Sequence, residues 1–357
     1  MDPDERIPIS LITGFLGSGK TTLLNRLLAA PEMAHSIVLV NEFGQISIDT
    51  DLISRRGEAT IELSNGCVCC TLNEDLGTTL HGFLERRARG DLPNFRRVLI
   101  ETTGLANAGP IVRVILEDPQ VLPHYALDRV ISTVDAVLGM KNLDLHAESV
   151  EQVAVADCLI LNKLDLIPDP ASLMPLRERL LMLNPAAPII DSRHGDVNVQ
   201  DLIGGRPTTT LARSLDLVHW LAEDCADGTC GHDHHLGHSH SLGGAHDDAH
   251  ARGHGHSGRH DDHIASFCLV RERPVTRADL DRFWSSLAER ADPNLLRVKG
   301  LVNVAEQPDR PVVIQGVQQL FGAAESLSEW PSDDRRTRIV FIGWELDKAA
   351  VEQLLVQ

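Results

Sequence analysis

The most constraining feature of this chain is a glycine-rich loop at residues 14–21, with the sequence GFLGSGKT. It satisfies the pattern G-x-x-x-x-G-K-[ST], in which backbone amides surround the phosphates of a nucleotide. An apolar run at residues 7–12 precedes the loop, and leucines at helical spacing follow it in residues 20–30. A strand, a phosphate loop and a helix in this order predict a P-loop nucleotide-binding domain of the α/β class.

The residues of this loop have separate predicted tasks. Glycines let the backbone turn towards the phosphates, and the N-terminus of the following helix adds favourable partial charge. Lys20 would reach the terminal phosphates, which makes it a predicted catalytic residue, and the Thr21 hydroxyl would bind a magnesium ion. We therefore expect nucleotide contacts from Gly14, Gly17, Ser18, Gly19, Lys20, Thr21 and Thr22.

A second motif, NKLD at residues 162–165, follows a predicted strand at residues 158–161. In GTP-binding proteins this pattern recognises guanine. Asp165 would accept hydrogen bonds from the base, and Asn162 would support the loop. A buried carboxylate without a partner is costly, so this arrangement disfavours adenine. We predict that Asn162, Lys163 and Asp165 bind the base. A P-loop kinase acting on a small molecule is the alternative that this motif argues against.

Between the two motifs, a strand predicted at residues 97–100 delivers Glu101 and Gly104 to the phosphate edge of the sheet. Glu101 would hold the magnesium ion, directly or through water, and is a predicted catalytic residue. The N–H group of Gly104 would contact the terminal phosphate. Leu105 occupies the place where some GTPases keep a glutamine that orients the attacking water, so we predict slow intrinsic hydrolysis of GTP.

A predicted switch loop at residues 41–49 follows a strand predicted at residues 36–40. Glu42 and Asp49 are its two carboxylates. We assign Asp49 to magnesium binding and catalysis, and Glu42 to a transition metal. The alternative for both side chains is a solvated position without a bound metal.

Three cysteines, Cys67, Cys69 and Cys70, are crowded just before a helix predicted to start near Thr71. The helix dipole favours the thiolate form, and thiolates suit zinc, copper(I) or cobalt(II). Three thiolates leave a fourth position for Glu42, a histidine or water, and an incomplete shell suits transfer of the metal. A redox thiol pair and buried inert cysteines are the alternatives. Beside a GTP site, this cluster predicts nucleotide hydrolysis coupled to metal handling.

The composition changes abruptly at residues 225–263, which hold 11 of the 17 histidines and few large apolar side chains. Such a segment cannot bury a core, so we predict a disordered His-rich loop. Imidazole suits zinc, nickel, copper and cobalt. Weak capture of metal is the predicted role, and a solvated linker is the alternative.

The remaining pattern divides the chain into two folded units. Apolar strands alternate with helical stretches over residues 1–205, which predicts a mostly parallel sheet with helices on both faces. Residues 206–224 form a predicted connector before the His-rich loop. In residues 264–357 the order strand, helix, strands, helix predicts a small α+β domain of the ferredoxin-like type.

Charge and hydropathy exclude several partners. The chain carries 51 acidic and 33 basic residues, a formal net charge of −18, which argues against binding to nucleic acid and to anionic membranes. No apolar run is long enough to cross a membrane, and the N-terminus lacks the apolar region of a secretory signal. We therefore expect a cytoplasmic protein.

The order of these motifs resembles the CobW-like metallochaperone GTPases. Besides the P-loop and NKLD, the resemblance rests on NEFG at residues 41–44, NGCVCC at residues 65–70 and ETTG at residues 101–104. It covers nearly the whole chain, including the His-rich insert before a small C-terminal domain. The resemblance implies a GTPase that loads metal into client enzymes, with the three clustered cysteines as the transfer site. The short segment between residues 49 and 61 is closer to the zinc-type members than to the cobalt-type ones.

The function predicted from the sequence is therefore a metallochaperone that uses GTP and Mg²⁺ and delivers Zn²⁺ to client metalloenzymes. Co²⁺ and Ni²⁺ stay open as the cargo, the latter because nickel-insertion GTPases are close cousins. A homodimer that depends on nucleotide or metal stays open as the assembly. The rival hypothesis is a metal buffer or sensor in which GTP only gates partner binding.

Overall fold

A computed structural model of the chain describes residues 6–40, 60–62, 72–202, 264–290, 292–322 and 324–356. Within these ranges the chain forms one parallel and one antiparallel sheet. No helix in the described ranges is both long and apolar enough to cross a membrane. Some of the predictions lie outside the described residues: Glu42, Asp49, Cys67, Cys69, Cys70, the connector at 206–224 and the His-rich loop at 225–263.

The first sheet has seven strands in the order β3-β2-β4-β1-β5-β6-β7, and all neighbours are parallel. Its central strand β1 is buried along its whole length, which explains why it is apolar at nearly every position. The strands are β1 (Ile7–Gly14), β2 (Ser36–Val40), β3 (Thr60–Glu62), β4 (Arg97–Glu101), β5 (Tyr125–Asp135), β6 (Cys158–Asn162) and β7 (Ile189–Asp191).

Helices cover both faces of this sheet, as predicted. Successive residues of β2 point to opposite faces of the sheet. Ile37 packs with helices α2 and α3 on one face, and Val38 packs with α1 on the other. A third cluster joins the ends of β5 and β6 to helices α4, α5 and α6. The helices are α1 (Lys20–Leu28), α2 (Leu72–Arg89), α3 (Gly109–Glu117), α4 (Gly139–Leu145), α5 (Ala147–Ala154), α6 (Met174–Leu183) and α7 (Val199–Leu202).

The second sheet forms the predicted α+β domain. Its strand order is β11-β10-β9-β13-β8, with β12 paired to β10, and all pairings are antiparallel. Strands β8 and β9 run in the same direction with β13 between them, so they form the split βαβ unit of ferredoxin-like folds. The elements are β8 (Ile264–Arg271), α8 (Arg277–Arg290), β9 (Leu295–Val302), β10 (Val312–Val317), β11 (Leu320–Phe321), β12 (Glu325–Ser326), β13 (Thr337–Trp344) and α9 (Lys348–Val356).

Thr276 caps the N-terminus of α8. The backbone N–H of Asp279 donates to the Thr276 hydroxyl at 3.1 Å, and that hydroxyl donates to the Asp279 carboxylate at 2.6 Å. Capping satisfies backbone donors that have no partner inside the helix, so it fixes where α8 begins.

The two sheets share a hydrophobic core. One face of the antiparallel sheet packs against α8 and α9, and the other face joins the cluster that contains α2 and α3. Val317 and Leu320 of the C-terminal domain belong to this shared cluster together with Ile111 and Ile115 of α3. Because α3 follows the loop after β4, the C-terminal domain lies next to a segment predicted to contact phosphate.

Candidate nucleotide site

The glycine-rich loop connects β1 to α1 and turns at three glycines with positive φ angles: 133° at Gly14, 72° at Gly17 and 99° at Gly19. Residues with a side chain rarely adopt this conformation. Gly19 also lies against the guanine motif, because a Cβ atom there would be 2.1 Å from the Asn162 Nδ2 atom. The loop therefore needs glycine at this position for two independent reasons.

The Lys20 side chain is buried inside the loop. Its Nζ atom donates to the carbonyl oxygens of Gly14 at 3.0 Å and Phe15 at 3.2 Å. Ser18 closes the loop, because its hydroxyl lies 2.7 Å from the Phe15 oxygen and 2.6 Å from the Thr133 hydroxyl. The positive charge of Lys20 therefore lies inside the loop, where it would face the phosphates of a bound nucleotide.

Thr21 and Glu101 lie side by side although they are far apart in the sequence. The Thr21 hydroxyl donates to the Glu101 carboxylate at 2.7 Å. Strand pairing produces this contact, because Glu101 at the end of β4 is in register with Ile12 of β1. Glu101 is only 4% exposed. A hydroxyl and a carboxylate are oxygen ligands of the kind that Mg²⁺ prefers, so the pair fits the predicted magnesium site.

Gly104 touches the backbone of the glycine-rich loop. A Cβ atom at this position would lie 2.6 Å from the backbone nitrogen of Leu16. The loop after β4 and the P-loop are therefore in direct contact at the phosphate edge. Leu105, which follows, is 49% exposed and carries no polar group that could orient a water molecule.

Asn162 joins the guanine motif to the P-loop. Its Nδ2 atom donates to the Ser18 carbonyl at 3.2 Å, and its Oδ1 atom accepts from the Lys163 N–H at 2.9 Å and the Ser192 hydroxyl at 3.2 Å. The side chain is 2% exposed, so these bonds are shielded from water. Parallel strands place both loops at the same edge of the sheet.

The other two residues of the motif are also fixed. Lys163 has a positive φ of 65°, and its Nζ atom contacts the Asp135 carboxylate at 2.7 Å. The Asp165 carboxylate accepts from the His194 N–H at 3.2 Å and lies 3.4 Å from the Nδ1 atom of the same histidine. Asp165 remains partly exposed, so its carboxylate is accessible to a base.

The loop after β7 contributes residues to the site that no sequence motif indicates. This loop brings Ser192 to Asn162 and His194 to Asp165. It also passes close to Thr22, because a Cβ atom at Gly195 would lie 3.0 Å from the Thr22 side chain. A signal was available, because β7 is a parallel neighbour of β6 and the carboxyl ends of neighbouring parallel strands meet at one edge.

The predicted ligands of a transition metal, Glu42, Cys67, Cys69 and Cys70, lie outside the described part of the chain. Within that part, no group of three or more His, Cys, Asp or Glu side chains is arranged to hold a metal ion. Within the described ranges, Cys158 and Cys268 are buried in the core and form no disulfide bond.

The fold and the nucleotide site define a P-loop GTPase. A sequence profile for the family described as "CobW/HypB/UreG, nucleotide-binding domain" matches residues 8–191. A second profile, "Cobalamin synthesis protein cobW C-terminal domain", matches residues 264–357. The chain therefore belongs to the CobW/HypB/UreG family and carries the CobW-type C-terminal domain, as the resemblance implied.

Curated relatives are similar over nearly the full length of the chain. "Zinc chaperone YjiA" of Escherichia coli is 29% identical and aligns over 97% of this chain and 96% of the relative. "Zinc chaperone CobW" of Pseudomonas aeruginosa is 33% identical over 98% and 91%. "Zinc-regulated GTPase metalloprotein activator 1" of Schizosaccharomyces pombe is 30% identical over 98% and 84%. A crystal structure of Zn(II)-bound YjiA GTPase from E. coli shares the fold, with a TM-score of 0.65, 24% identity and 98% coverage of both chains.

Proposed function

We propose that this protein is a GTP-dependent metallochaperone that binds Zn²⁺ as cargo and delivers it to client metalloproteins in the cytoplasm. The observation that carries the proposal is the hydrogen bond from Asn162 to Ser18, because it joins the guanine motif and the P-loop into one site. Full-length similarity to relatives named zinc chaperones supports zinc as the cargo.

In this proposal, different residues of the nucleotide site have different roles in GTP hydrolysis. Lys20 neutralises charge on the terminal phosphates, and Asp165 with Asn162 selects guanine. Thr21 and Glu101, 2.7 Å apart, hold Mg²⁺, which supplies positive charge at the phosphates when bound. The Gly104 N–H contacts the terminal phosphate. Because Leu105 cannot orient the attacking water, intrinsic turnover is slow.

The metal site is assigned to the cysteine cluster. Cys67, Cys69 and Cys70, with Glu42, bind the zinc ion, and Asp49 joins the magnesium site. Both Glu42 and Asp49 follow β2, so a rearrangement of this segment on hydrolysis would change both sites together. This shared segment is how GTP hydrolysis would release the cargo to a client.

The metal assignment is tested by titrating Zn²⁺ into the full chain against a chromophoric chelator, with Mg²⁺ and a non-hydrolysable GTP analogue. The matched variant carries Cys69→Ala and Cys70→Ala and keeps the His-rich segment, so weak histidine sites cancel in the comparison. We expect the variant to lose one tight site. Equal binding by both proteins would move the metal chemistry away from the cysteines. Repeating the titration with Co²⁺ and Ni²⁺ ranks the cargo.

A metal buffer is the second candidate function, and the 11 histidines in residues 225–263 favour it. A buffer would bind several zinc ions weakly and would not turn over GTP faster with a client. Multiple-turnover GTPase assays with and without an apo-metalloenzyme separate the two functions, and light scattering in the same mixtures tests for a homodimer that depends on nucleotide or metal.

A further inference from the structure

The loop between β4 and α3, residues 102–108, is held in place by side chains outside it. Gln152 of α5 donates from its Nε2 atom to the carbonyl oxygens of Gly104 at 3.1 Å and Ala106 at 3.2 Å. Both partners are acceptors, so only one orientation of the amide satisfies them. The Gln152 side chain is 2% exposed, and water does not compete for these bonds.

Asn107 ties the same loop to a second helix and to the C-terminal domain. Its Oδ1 atom accepts from the Gly109 N–H at 2.7 Å and from the Gln318 Nε2 atom at 3.1 Å. Its Nδ2 atom donates to the Glu151 carboxylate at 3.1 Å. One side chain in the loop therefore contacts the start of α3, α5 and the antiparallel sheet.

Gln318 is itself firmly placed. It lies in the turn between β10 and β11 with a positive φ of 54°, and its backbone N–H donates to the Leu296 carbonyl at 2.8 Å. Its neighbours Val317 and Leu320 are buried in the core shared with α3. The contact between Gln318 and Asn107 therefore joins a rigid part of the C-terminal domain to the loop at residues 102–108.

We propose that Gln152 and Gln318 are positioning residues for GTP hydrolysis, which act by holding Gly104 against the P-loop. The inference rests on the proposed contact between Gly104 and the terminal phosphate, and it goes beyond metal transfer. It assigns the C-terminal domain a part in catalysis, since Gln318 reaches the loop from that domain. GDP lacks the terminal phosphate, so the two glutamines should matter for GTP hydrolysis and not for GDP binding.

The first test compares Gln152→Leu with a matched control, Asn184→Leu. Asn184 is also a buried amide, and it donates to the carbonyls of Val153, Ala154 and Ala156 near the end of the same helix. Both changes remove buried hydrogen bonds from α5, but only one of them touches the loop. We expect kcat to fall about tenfold in Gln152→Leu relative to the control, which corresponds to about 1.4 kcal/mol of activation free energy. The Kd for GDP should stay within about twofold of wild type.

The second test uses partly exposed residues whose replacement leaves the core intact. Gln318→Ala removes the contact with Asn107, and Gln315→Ala, on β10 of the same domain, is the control. We expect a lower kcat, by about three- to tenfold, only in Gln318→Ala, as for the loss of one neutral hydrogen bond. Equal rates in both variants, a raised kcat, or parallel weakening of GDP binding would overturn the proposal.

Gly104→Ala separates failure of this inference from failure of the nucleotide site itself. If Gly104→Ala hydrolyses GTP normally, the assignment of Gly104 is wrong and the positioning role falls with it. If Gly104→Ala is impaired while both glutamine variants match their controls, only the positioning role is wrong.

Discussion

Replacing Arg297 by Met should destabilise the full chain by about 3 kcal/mol. Asp157 precedes β6 in the nucleotide domain, and its carboxylate contacts the Arg297 guanidinium of the C-terminal domain. Lys299 lies 3.4 Å from the same carboxylate, and the Val130 N–H donates to it at 2.9 Å. The Arg297 side chain is 3% exposed, so its removal leaves a buried carboxylate with only the weaker attraction of Lys299 and Arg129.

The measurement is urea denaturation of the full chain, followed by tryptophan fluorescence and by far-ultraviolet circular dichroism. The matched control is Arg335→Met, because Arg335 and Asp309 form a 3.0 Å ion pair with both side chains well exposed. Exposed pairs contribute about 0–1 kcal/mol. Adding Asp157→Leu to Arg297→Met should recover at least about 1 kcal/mol, since no buried carboxylate then remains. Equal losses in Arg297→Met and the control would refute the reasoning.

The same ion pair predicts a pH dependence. Burial opposes the charged form of Asp157. The attraction of Arg297, Lys299 and Arg129, together with the hydrogen bond from the Val130 N–H, outweighs burial and holds the pKa of this carboxyl well below its usual range. The unfolded chain takes up this proton at a higher pH than the folded chain does. The stabilisation is therefore complete above the ordinary aspartate pKa of about 4 and is lost as the pH falls below it. The stability difference between wild type and Arg297→Met should narrow in acid.

Three further predictions concern the nucleotide site. Gly19→Ala should weaken binding of GTP and GDP by roughly 10- to 100-fold in isothermal titration, because strain at a positive φ adds to the clash with Asn162. Asn162→Ala should weaken both nucleotides to a similar extent by releasing Ser18, and equal affinity to wild type would contradict the link between the loops. Thr21→Val should lower Mg²⁺-dependent GTP hydrolysis more than about tenfold, while GDP binding in EDTA stays unchanged; a normal rate would remove Thr21 and its contact with Glu101 from the magnesium site.

The local sequence predicts many strands of the parallel sheet, because strands buried on both faces form continuous apolar runs. The strands predicted at residues 36–40 and 158–161 match β2 and β6 to within one residue. The start of β5 at Tyr125 is harder to recognise from the local sequence. Two charged residues, Asp128 and Arg129, interrupt the apolar run. The strand tolerates Asp128 because Arg97 contacts its carboxylate at 2.6 Å, and such a partner is not visible in a local pattern.

The types of residue in the nucleotide site could be predicted, but their contacts could not. Asn162 and Lys20 could be predicted because each occupies a fixed position in a motif whose residue types suit the binding of guanine or phosphate. The bond between Asn162 and Ser18 depends instead on which strands become neighbours in the sheet. The contact between Asn107 and Gln318 is even harder to predict from the sequence, because it also depends on how the C-terminal domain packs against the nucleotide domain.

The central claim is that the nucleotide controls the affinity for the cargo metal. The most direct test measures the Kd for Zn²⁺ of the full chain with Mg²⁺ and either GDP or a non-hydrolysable GTP analogue, alongside the variant carrying Cys69→Ala and Cys70→Ala. A metallochaperone driven by GTP should bind zinc at least about tenfold more tightly with the analogue, and the variant should lose this difference. The same Kd in both nucleotide states would contradict coupling between GTP hydrolysis and metal release.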